Sequence, residues 1–277
     1  MALLNENSNF RPSGKDYLME DFYYAGGILA LMHELRKKLN LDQITVSGLS
    51  LKKIISQTKT INEDVIRPLN KPIYKEGSLA VLKGNLAPDG CVIKPAACDK
   101  KFFKHKGPAI VFNSYPEMKE LREREDFEVT EDHILVLRNV GPVGGPGMPE
   151  WGMMPIPKKL LKKGVRDMVR ISDARMSGTS YGACILHVAP ESFIGGPLSL
   201  LKTGDIVEID IELRTINMLV DEVTLSLRRR EIKPKEPKAG RGWLWMYSNH
   251  VTQANNGCDF DFLETNFGKS AKDPDIF

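Results

Sequence analysis

Residues 79–94 read LAVLKGNLAPDGCVIK, two short apolar runs separated by glycine, asparagine, proline and aspartate. Short runs rich in apolar and β-branched residues predict β-strands when turn residues bound them. Within the stretch, GNLAPDG at 84–90 is a turn by its chemistry, and we expect its corner at Pro88–Asp89–Gly90. Residues 79–94 therefore predict two strands joined by a turn.

The same pattern continues to about residue 220. Further strand-like runs are GPAIVFN (107–113), HILVLRNV (133–140), GVRDMVRISD (164–173), ACILHVA (183–189) and TGDIVEIDIELRTINMLV (203–220). Helices are predicted between them at PEMKELRERE (116–125) and PKKLLKKG (157–164). This spacing predicts an α+β fold that is mainly a closed β barrel with flanking helices.

The two ends of the chain differ from this central region. Residues 16–39 have a helical period that Gly26–Gly27 interrupts, and residues 44–55 indicate a turn into another short helix. Residues 231–243, EIKPKEPKAGRGW, predict a linker, and an aromatic, polar tail follows. We therefore divide the chain into a helical unit (1–60), a barrel (61–232) and a linker with tail (233–277).

Composition excludes several classes of protein. The 277 residues are 42% hydrophobic, which is enough for a substantial core, and the net charge of +3 is small for a nucleic-acid binder. The sequence has no apolar run of membrane-spanning length and no signal-peptide pattern, so we expect a cytoplasmic location without a membrane or nucleic-acid partner. The cysteines, Cys91, Cys98, Cys184 and Cys258, match no common zinc or iron–sulfur spacing and favour ordinary reduced thiols.

Residues 141–152, GPVGGPGMPEWG, form a glycine- and proline-rich loop with one charged residue, Glu150. Glycine loses more backbone freedom on folding than other residues, so this composition needs a compensating role. One interpretation is that the backbone approaches an anion and that Glu150 binds a hard cation such as Mg²⁺. The other is a tight turn in which Glu150 is solvated or caps the next helix.

A second polar loop follows the strand at 164–173. Residues 172–182, SDARMSGTSYG, concentrate the hydroxyl groups of Ser177, Thr179 and Tyr181 near Arg175. Hydroxyl groups both donate and accept hydrogen bonds, so they suit a polyhydroxylated ligand, and arginine can pair with a carboxylate. The alternative is that this Ser/Thr/Gly segment is only a connector. It is not the GxSxG elbow of hydrolases, because Met176 and Gly178 flank the serine.

These three stretches, in this order and spacing, resemble the family of dihydroxy-acid, sugar-acid and phosphogluconate dehydratases. The resemblance runs from RPSGKDYLMEDFYYAGG (11–27) to TQANNGCDFDFL (252–263). SGTSYGACILHVAPES (177–192) and GCDFDFL (257–263) are similar to the sugar-acid branch, which contains arabinonate and xylonate dehydratases.

The resemblance implies a hydro-lyase that converts an aldonate to a 2-keto-3-deoxy sugar acid with an iron–sulfur cluster and Mg²⁺. It implies that Ser177 is the base that removes the C2 proton and that Glu150 lies at the Mg²⁺ site. Thr179 and Tyr181 would contact substrate hydroxyls, and Arg175 is our further candidate for binding substrate. The barrel would be the swivelling-barrel-like C-terminal domain, and the full-length family implies a homo-oligomer.

The chain departs from the family in length. Members are roughly twice as long, and their N-terminal α/β half supplies the cluster cysteines and most Mg²⁺ ligands. Residues 1–60 would then be the last helices of that α/β domain, and no cysteine of this chain lies where a cluster ligand is expected. Three hypotheses remain: a dehydratase completed by a separate chain with the cluster domain, an inactive truncated product, or a module that binds a sugar acid without turnover.

Overall fold

The computed structural model describes residues 8–11, 16–73, 77–178, 180–233, 235–237 and 239–263. The helices are α1 Met19–Tyr24, α2 Gly27–Glu34, α3 Leu51–Ile55, α4 Tyr115–Glu123, α5 Lys158–Lys162, α6 Glu222–Glu231 and α7 Gly242–His250. The strands are β1 Ala80–Gly84, β2 Ala87–Ile93, β3 Lys104–Phe112, β4 Ile134–Leu137, β5 Arg170–Ser172, β6 Cys184–Ala189, β7 Ile206–Asp210 and β8 Thr215–Met218.

The strands form a closed barrel in the order β1-β2-β6-β5-β4-β3-β7-β8, which confirms the predicted fold class. Strands β3, β4, β5 and β6 run parallel to one another, and β1 pairs in parallel with β8. The other pairs, β1–β2, β2–β6, β3–β7 and β7–β8, are antiparallel. The ends of β3, β4, β5 and β6, at Phe112, Leu137, Ser172 and Ala189, therefore lie along one rim of the barrel. We call this rim the carboxyl edge.

The turn between β1 and β2 lies elsewhere than the sequence predicts. The corner is at Asn85–Leu86, because Gly84 pairs with Ala87, and Pro88–Asp89–Gly90 lie within β2. The Asn85 side chain accepts a hydrogen bond from the N–H of Met218 (2.8 Å) and donates one to its carbonyl (2.9 Å). Asn85 thus fixes the corner against β8. The proline is tolerated because the pairing of β1 with β2 is irregular at this point.

The barrel core is mainly apolar and encloses a buried ion pair. All four residues of β4 are buried, and Phe112 and Met118 pack in the same core. The Arg170 guanidinium donates to the Asp167 carboxylate at 2.7 Å and to the Met168 and Met154 carbonyls. Because the charge is paired and its donors are used, burying Arg170 is tolerated.

The N-terminal segment has a smaller apolar core of its own. Phe10, Phe22, Leu31 and Ile66 are buried together there. The helical pattern breaks between α1 and α2 as predicted, because Gly26 adopts a φ of 114°, which favours glycine. On the outer side, Leu18, Met19, Tyr23, Tyr24 and Ile28 expose large apolar side chains.

The C-terminal segment contains a helix that the sequence analysis does not predict. Residues Gly242–His250 form α7, although they were assigned to an aromatic tail. The helix exposes Trp243, which is 81% accessible, with Leu244 and Trp245. Its apolar residues are not confined to one face, so the helical period is weak in the sequence. Across the described part of the chain, no helix is both long and apolar enough to cross a membrane.

Candidate functional site

Three loops meet above the carboxyl edge of the barrel. Residues 138–152 follow β4, residues 173–183 follow β5, and residues 190–196 follow β6. Since their strands are neighbours in the barrel, the glycine-rich loop and the Ser177 loop are brought side by side. The N–H of Gly152 donates to the carbonyl of Arg175 at 2.9 Å, which joins the two loops directly.

The structure pairs two of the predicted site residues. The Arg175 Nη1 atom lies 3.1 Å from the Glu150 Oε1 atom, and both side chains are about half exposed. The Nε–H of Arg175 also donates to the carbonyl of Met148 at 2.6 Å. Glu150 therefore neither caps α5, which has Pro157 at its N-cap, nor lies free in solvent. The arginine holds this carboxylate beside the Ser177 loop.

Two glycines of this loop, Gly141 and Gly144, lie against a second carboxylate, that of Glu191. This side chain is fully buried and accepts the N–H groups of Val143 (2.8 Å) and Gly144 (2.9 Å). A Cβ on Gly141 would lie 2.7 Å from Glu191 atoms, and a Cβ on Gly144 would lie 2.7 Å from Phe193 Cβ. Glycine is therefore required here for close packing. Burial raises the pKa of Glu191, and its hydrogen bonds oppose this shift.

Asp173 fixes the start of the Ser177 loop in a similar way. Its buried carboxylate accepts the N–H of Val140 (3.1 Å) and both the N–H and hydroxyl of Ser192 (2.9 and 2.6 Å). Burial raises the pKa of this group, again against its hydrogen bonds. One carboxylate thus connects all three loops of the carboxyl edge.

The C-terminal tail also contacts the glycine-rich loop. The side-chain amide of Gln253 donates to Glu191 Oε1 at 2.8 Å, and its oxygen accepts the N–H of Glu191 at 2.8 Å. The Cys258 Sγ atom lies 3.1 Å from Met148 Sδ. The tail therefore packs on the same loop that carries Glu150.

The remaining predicted residues are placed as follows. Ser177 is half-buried in the loop between β5 and β6, and Tyr181 in the same loop is 55% exposed. Thr179 lies outside the described residues. Neither Glu191 nor Gln253 is predicted from the sequence. A single acidic residue directly after an apolar strand, in LHVAPES, was the available signal for Glu191.

The described residues do not form a complete metal site by themselves. No three His, Cys, Asp or Glu side chains of these residues are grouped so that they could hold an ion. Burial raises the pKa of Cys91 to about 12 and that of Cys184 to about 11. Glu150 offers an exposed carboxylate beside the Ser177 loop and fits a cation as one ligand among others. No three cysteines of the described residues are grouped, so they do not fit an iron–sulfur cluster.

Comparison with known protein families shows the family to which the chain belongs. The family described as "Dihydroxy-acid/6-phosphogluconate dehydratase C-terminal" matches residues 64–258, and its N-terminal counterpart matches residues 7–54. The first match covers most of the chain, so the chain belongs to the dihydroxy-acid/6-phosphogluconate dehydratase family. This confirms the resemblance seen in the sequence.

Individual relatives agree with this assignment. A 6-deoxy-6-sulfo-D-gluconate dehydratase of Pseudomonas putida is 46% identical over 97% of this chain and 46% of its own length. An L-arabinonate dehydratase of Rhizobium leguminosarum bv. trifolii is 42% identical over 92% of this chain and 44% of its own length. A dihydroxy-acid dehydratase of Methanococcus aeolicus is 40% identical over 90% of the chain and 44% of its own length. The chain thus spans about half the length of the curated relatives that it matches.

Proposed function

We propose that this chain supplies the C-terminal, barrel-bearing half of a sugar-acid dehydratase, a hydro-lyase that converts an aldonate to a 2-keto-3-deoxy sugar acid. The observation that carries the proposal is the pairing of Glu150 with Arg175 next to the Ser177 loop, in a chain of this family. The relatives that act on arabinonate and on 6-deoxy-6-sulfogluconate favour an aldonate over a branched-chain dihydroxy acid.

In this proposal Ser177 is the base. Its Oγ atom takes the proton from C2 of the substrate, and the electron pair of that C–H bond forms the C2=C3 double bond. The C3–O bond breaks, and the hydroxyl group leaves as water after it gains a proton. The resulting enol is protonated at C3 and becomes the 2-keto-3-deoxy acid. A serine hydroxyl is a weak base in water, so a nearby positive charge is needed to favour its alkoxide.

Arg175 and Glu150 have complementary roles in this mechanism. Arg175 places a positive charge in the loop of Ser177 and keeps Glu150 oriented through the 3.1 Å contact. Glu150 would be one ligand of a divalent cation, which when bound holds the substrate carboxylate and 2-hydroxyl and stabilises negative charge. Thr179 and Tyr181 would contact the remaining hydroxyl groups, since each offers a donor and an acceptor.

The other ligands would come from a separate chain. We infer a partner that carries the N-terminal cluster domain, with the iron–sulfur cluster and the remaining Mg²⁺ ligands. The exposed apolar side chains of α1, α2 and α7 support this part of the proposal, since grouped exposed apolar residues often mark a binding surface. The unpaired cysteines among the described residues, Cys91, Cys98, Cys184 and Cys258, agree with a reducing compartment such as the cytoplasm.

The test is anaerobic dehydratase activity on C5 and C6 sugar acids, with iron, sulfide and Mg²⁺ supplied. It is run on the chain alone and on the chain mixed with the N-terminal half of a close relative. We expect turnover only in the mixture, its loss in Ser177→Ala and its retention in Ser180→Ala, a matched change in the same loop. Equal loss in both variants would argue against Ser177 as the base.

The same experiment also tests two alternatives to this function. If the mixture is inactive while the intact relative is active, the chain is either an inactive product or a sugar-acid-binding module. Thermal denaturation with and without an aldonate separates these two, because a ligand that binds only the folded state raises the midpoint.

A further inference from the structure

A cavity of about 830 Å³ lies at the carboxyl edge, beside the glycine-rich loop. Its walls come from the start of α4, the glycine-rich loop, the linker after α6, and α7. Pro149 and Trp151 both line it, whereas the carboxylate of the residue between them, Glu150, is bound to Arg175. The cavity therefore adjoins the proposed catalytic site but does not include its ionic groups.

One wall of the cavity is aromatic. The ring of Trp151 stacks on that of Tyr115, with centroids 4.7 Å apart and planes inclined by 23°. Phe193 lines the cavity as well, and Trp151 stays 38% exposed. Stacked rings with one accessible face offer a flat apolar surface, which suits a planar or apolar ligand body.

Two hydrogen-bond donors also line the cavity. Ser248 is only 7% exposed and lines the cavity, yet its hydroxyl has no hydrogen-bond partner among the described residues. This hydroxyl is not sealed from the cavity, so it can donate a hydrogen bond to a ligand there.

The second donor is the ammonium group of Lys235. It donates to the Asn139 Oδ1 atom and lies 5.9 Å from the centroid of the Phe193 ring, but it has no carboxylate partner among the described residues. Partial burial, and next the charge of Arg138, lower the pKa of Lys235. The charge of Asp173 raises the pKa of Lys235 and so opposes this shift. The Asp173 carboxylate, however, already accepts hydrogen bonds from Val140 and Ser192. A ligand anion would be the counter-charge that the cavity lacks.

We propose that this cavity binds a small organic carboxylate with a flat, apolar body. The carboxylate oxygens accept hydrogen bonds from Lys235 and Ser248, and the body lies on the Trp151–Tyr115 pair. A polyol alone would leave the aromatic wall unused, and a neutral apolar molecule would make no charge-assisted hydrogen bond with the ammonium group. The proposal does not depend on the dehydratase function, because none of these four side chains takes part in the proposed mechanism.

The test is calorimetric titration of the full chain with phenylacetate, with phenylacetamide as the neutral analogue and gluconate as a polyol carboxylate. We expect saturable one-to-one binding of phenylacetate, and binding at least about 10-fold weaker for the other two. Absence of saturation up to about 20 mM phenylacetate would overturn the proposal, since a ten-atom ligand with ordinary efficiency binds more tightly. Equal binding of phenylacetate and phenylacetamide would also overturn it.

Substitutions locate the site. Lys235→Met should weaken phenylacetate binding by about 10-fold or more, and Ser248→Ala by about 3- to 10-fold. Lys233→Met is the matched control, because this exposed lysine lies in the same linker and does not line the cavity. Thermal denaturation of each variant checks that it is folded. Equal losses in the Lys233 and Lys235 variants would show a non-specific charge effect and refute the assignment.

Discussion

The carboxylate of Glu191 accepts the backbone N–H of Gly144 at 2.9 Å, across two loops that follow different strands of the barrel. This contact explains the composition of the glycine-rich loop. A backbone can wrap so closely around a buried carboxylate only where side chains are absent, as at Gly141. The loop then continues to Glu150. The buried carboxylate of Glu191 therefore fixes the segment that carries the candidate cation ligand, Glu150.

Gly141→Ala should destabilise the chain. The new Cβ would lie 2.7 Å from Glu191 atoms, closer than van der Waals contact allows, and both Gly141 and Glu191 are buried. We expect the free energy of unfolding to fall by about 1–3 kcal/mol, as overpacking typically produces. Urea denaturation measures it. Gly178→Ala is the control, since nothing lies within 4 Å of its added Cβ, and it should change stability by less than about 0.5 kcal/mol.

The effect of Glu191 on stability should depend on pH. Its pKa in the folded chain is raised above the usual 4.5, so the folded state binds this proton more tightly than the unfolded state. The contribution of Glu191 is therefore greatest below pH 4.5 and declines as the pH rises toward the raised value. Urea denaturation of the wild type and Glu191→Gln from pH 4 to pH 7 tests this. The stability of the wild type relative to the variant should fall with pH, and a rise would mean that the pKa is lowered instead.

Much of the barrel could be predicted from the sequence, because its strands are short, apolar and separated by turn residues. The corner at Asn85 was not predicted because Pro-Asp-Gly is the stronger local turn signal. The position of the corner is set instead by hydrogen bonds between Asn85 and Met218, which is distant in the sequence. Helix α7 was missed because its apolar residues do not form one stripe.

The candidate site was predictable only in part. Glu150 and Arg175 stand in unusual local sequences, so each could be identified separately. Their 3.1 Å contact depends on the adjacency of β4 and β5 in the barrel, which residue patterns do not specify. Glu191 carries only a weak local signal, one acidic residue after an apolar strand, and its burial under the glycine-rich loop reveals its role.

Asp167→Asn should destabilise the barrel strongly. Asp167 pairs with the buried Arg170 guanidinium at 2.7 Å and also accepts the N–H of Ala183, where the Ser177 loop returns to β6. Removing the carboxylate leaves a buried positive charge uncompensated, and we expect a loss of about 3–5 kcal/mol in the free energy of unfolding. Urea denaturation measures this.

An exposed ion pair provides the comparison for Asp167. Arg124 and Asp126 are paired near the barrel surface with both side chains more than half exposed. Asp126→Asn should therefore lower stability far less than Asp167→Asn does, because solvent screens the exposed pair. Similar losses for the two variants would show that burial of Arg170 does not set the strength of its pairing with Asp167.

Gln253→Leu should release the C-terminal tail from the glycine-rich loop. The change removes both reciprocal hydrogen bonds between Gln253 and Glu191. The Oε1 atom of the buried carboxylate then loses the side-chain amide donor of residue 253. Each lost bond is worth about 0.5–1.5 kcal/mol, so the tail should open about 5- to 150-fold more often. Amide hydrogen exchange at residues 252–258 measures that opening. Asn255→Leu is the control, because Asn255 is exposed and its side chain donates a hydrogen bond to its neighbour Asn256 rather than to the glycine-rich loop. Unchanged exchange in the Gln253 variant would mean that the Cys258–Met148 contact, and not the pair with Glu191, holds the tail.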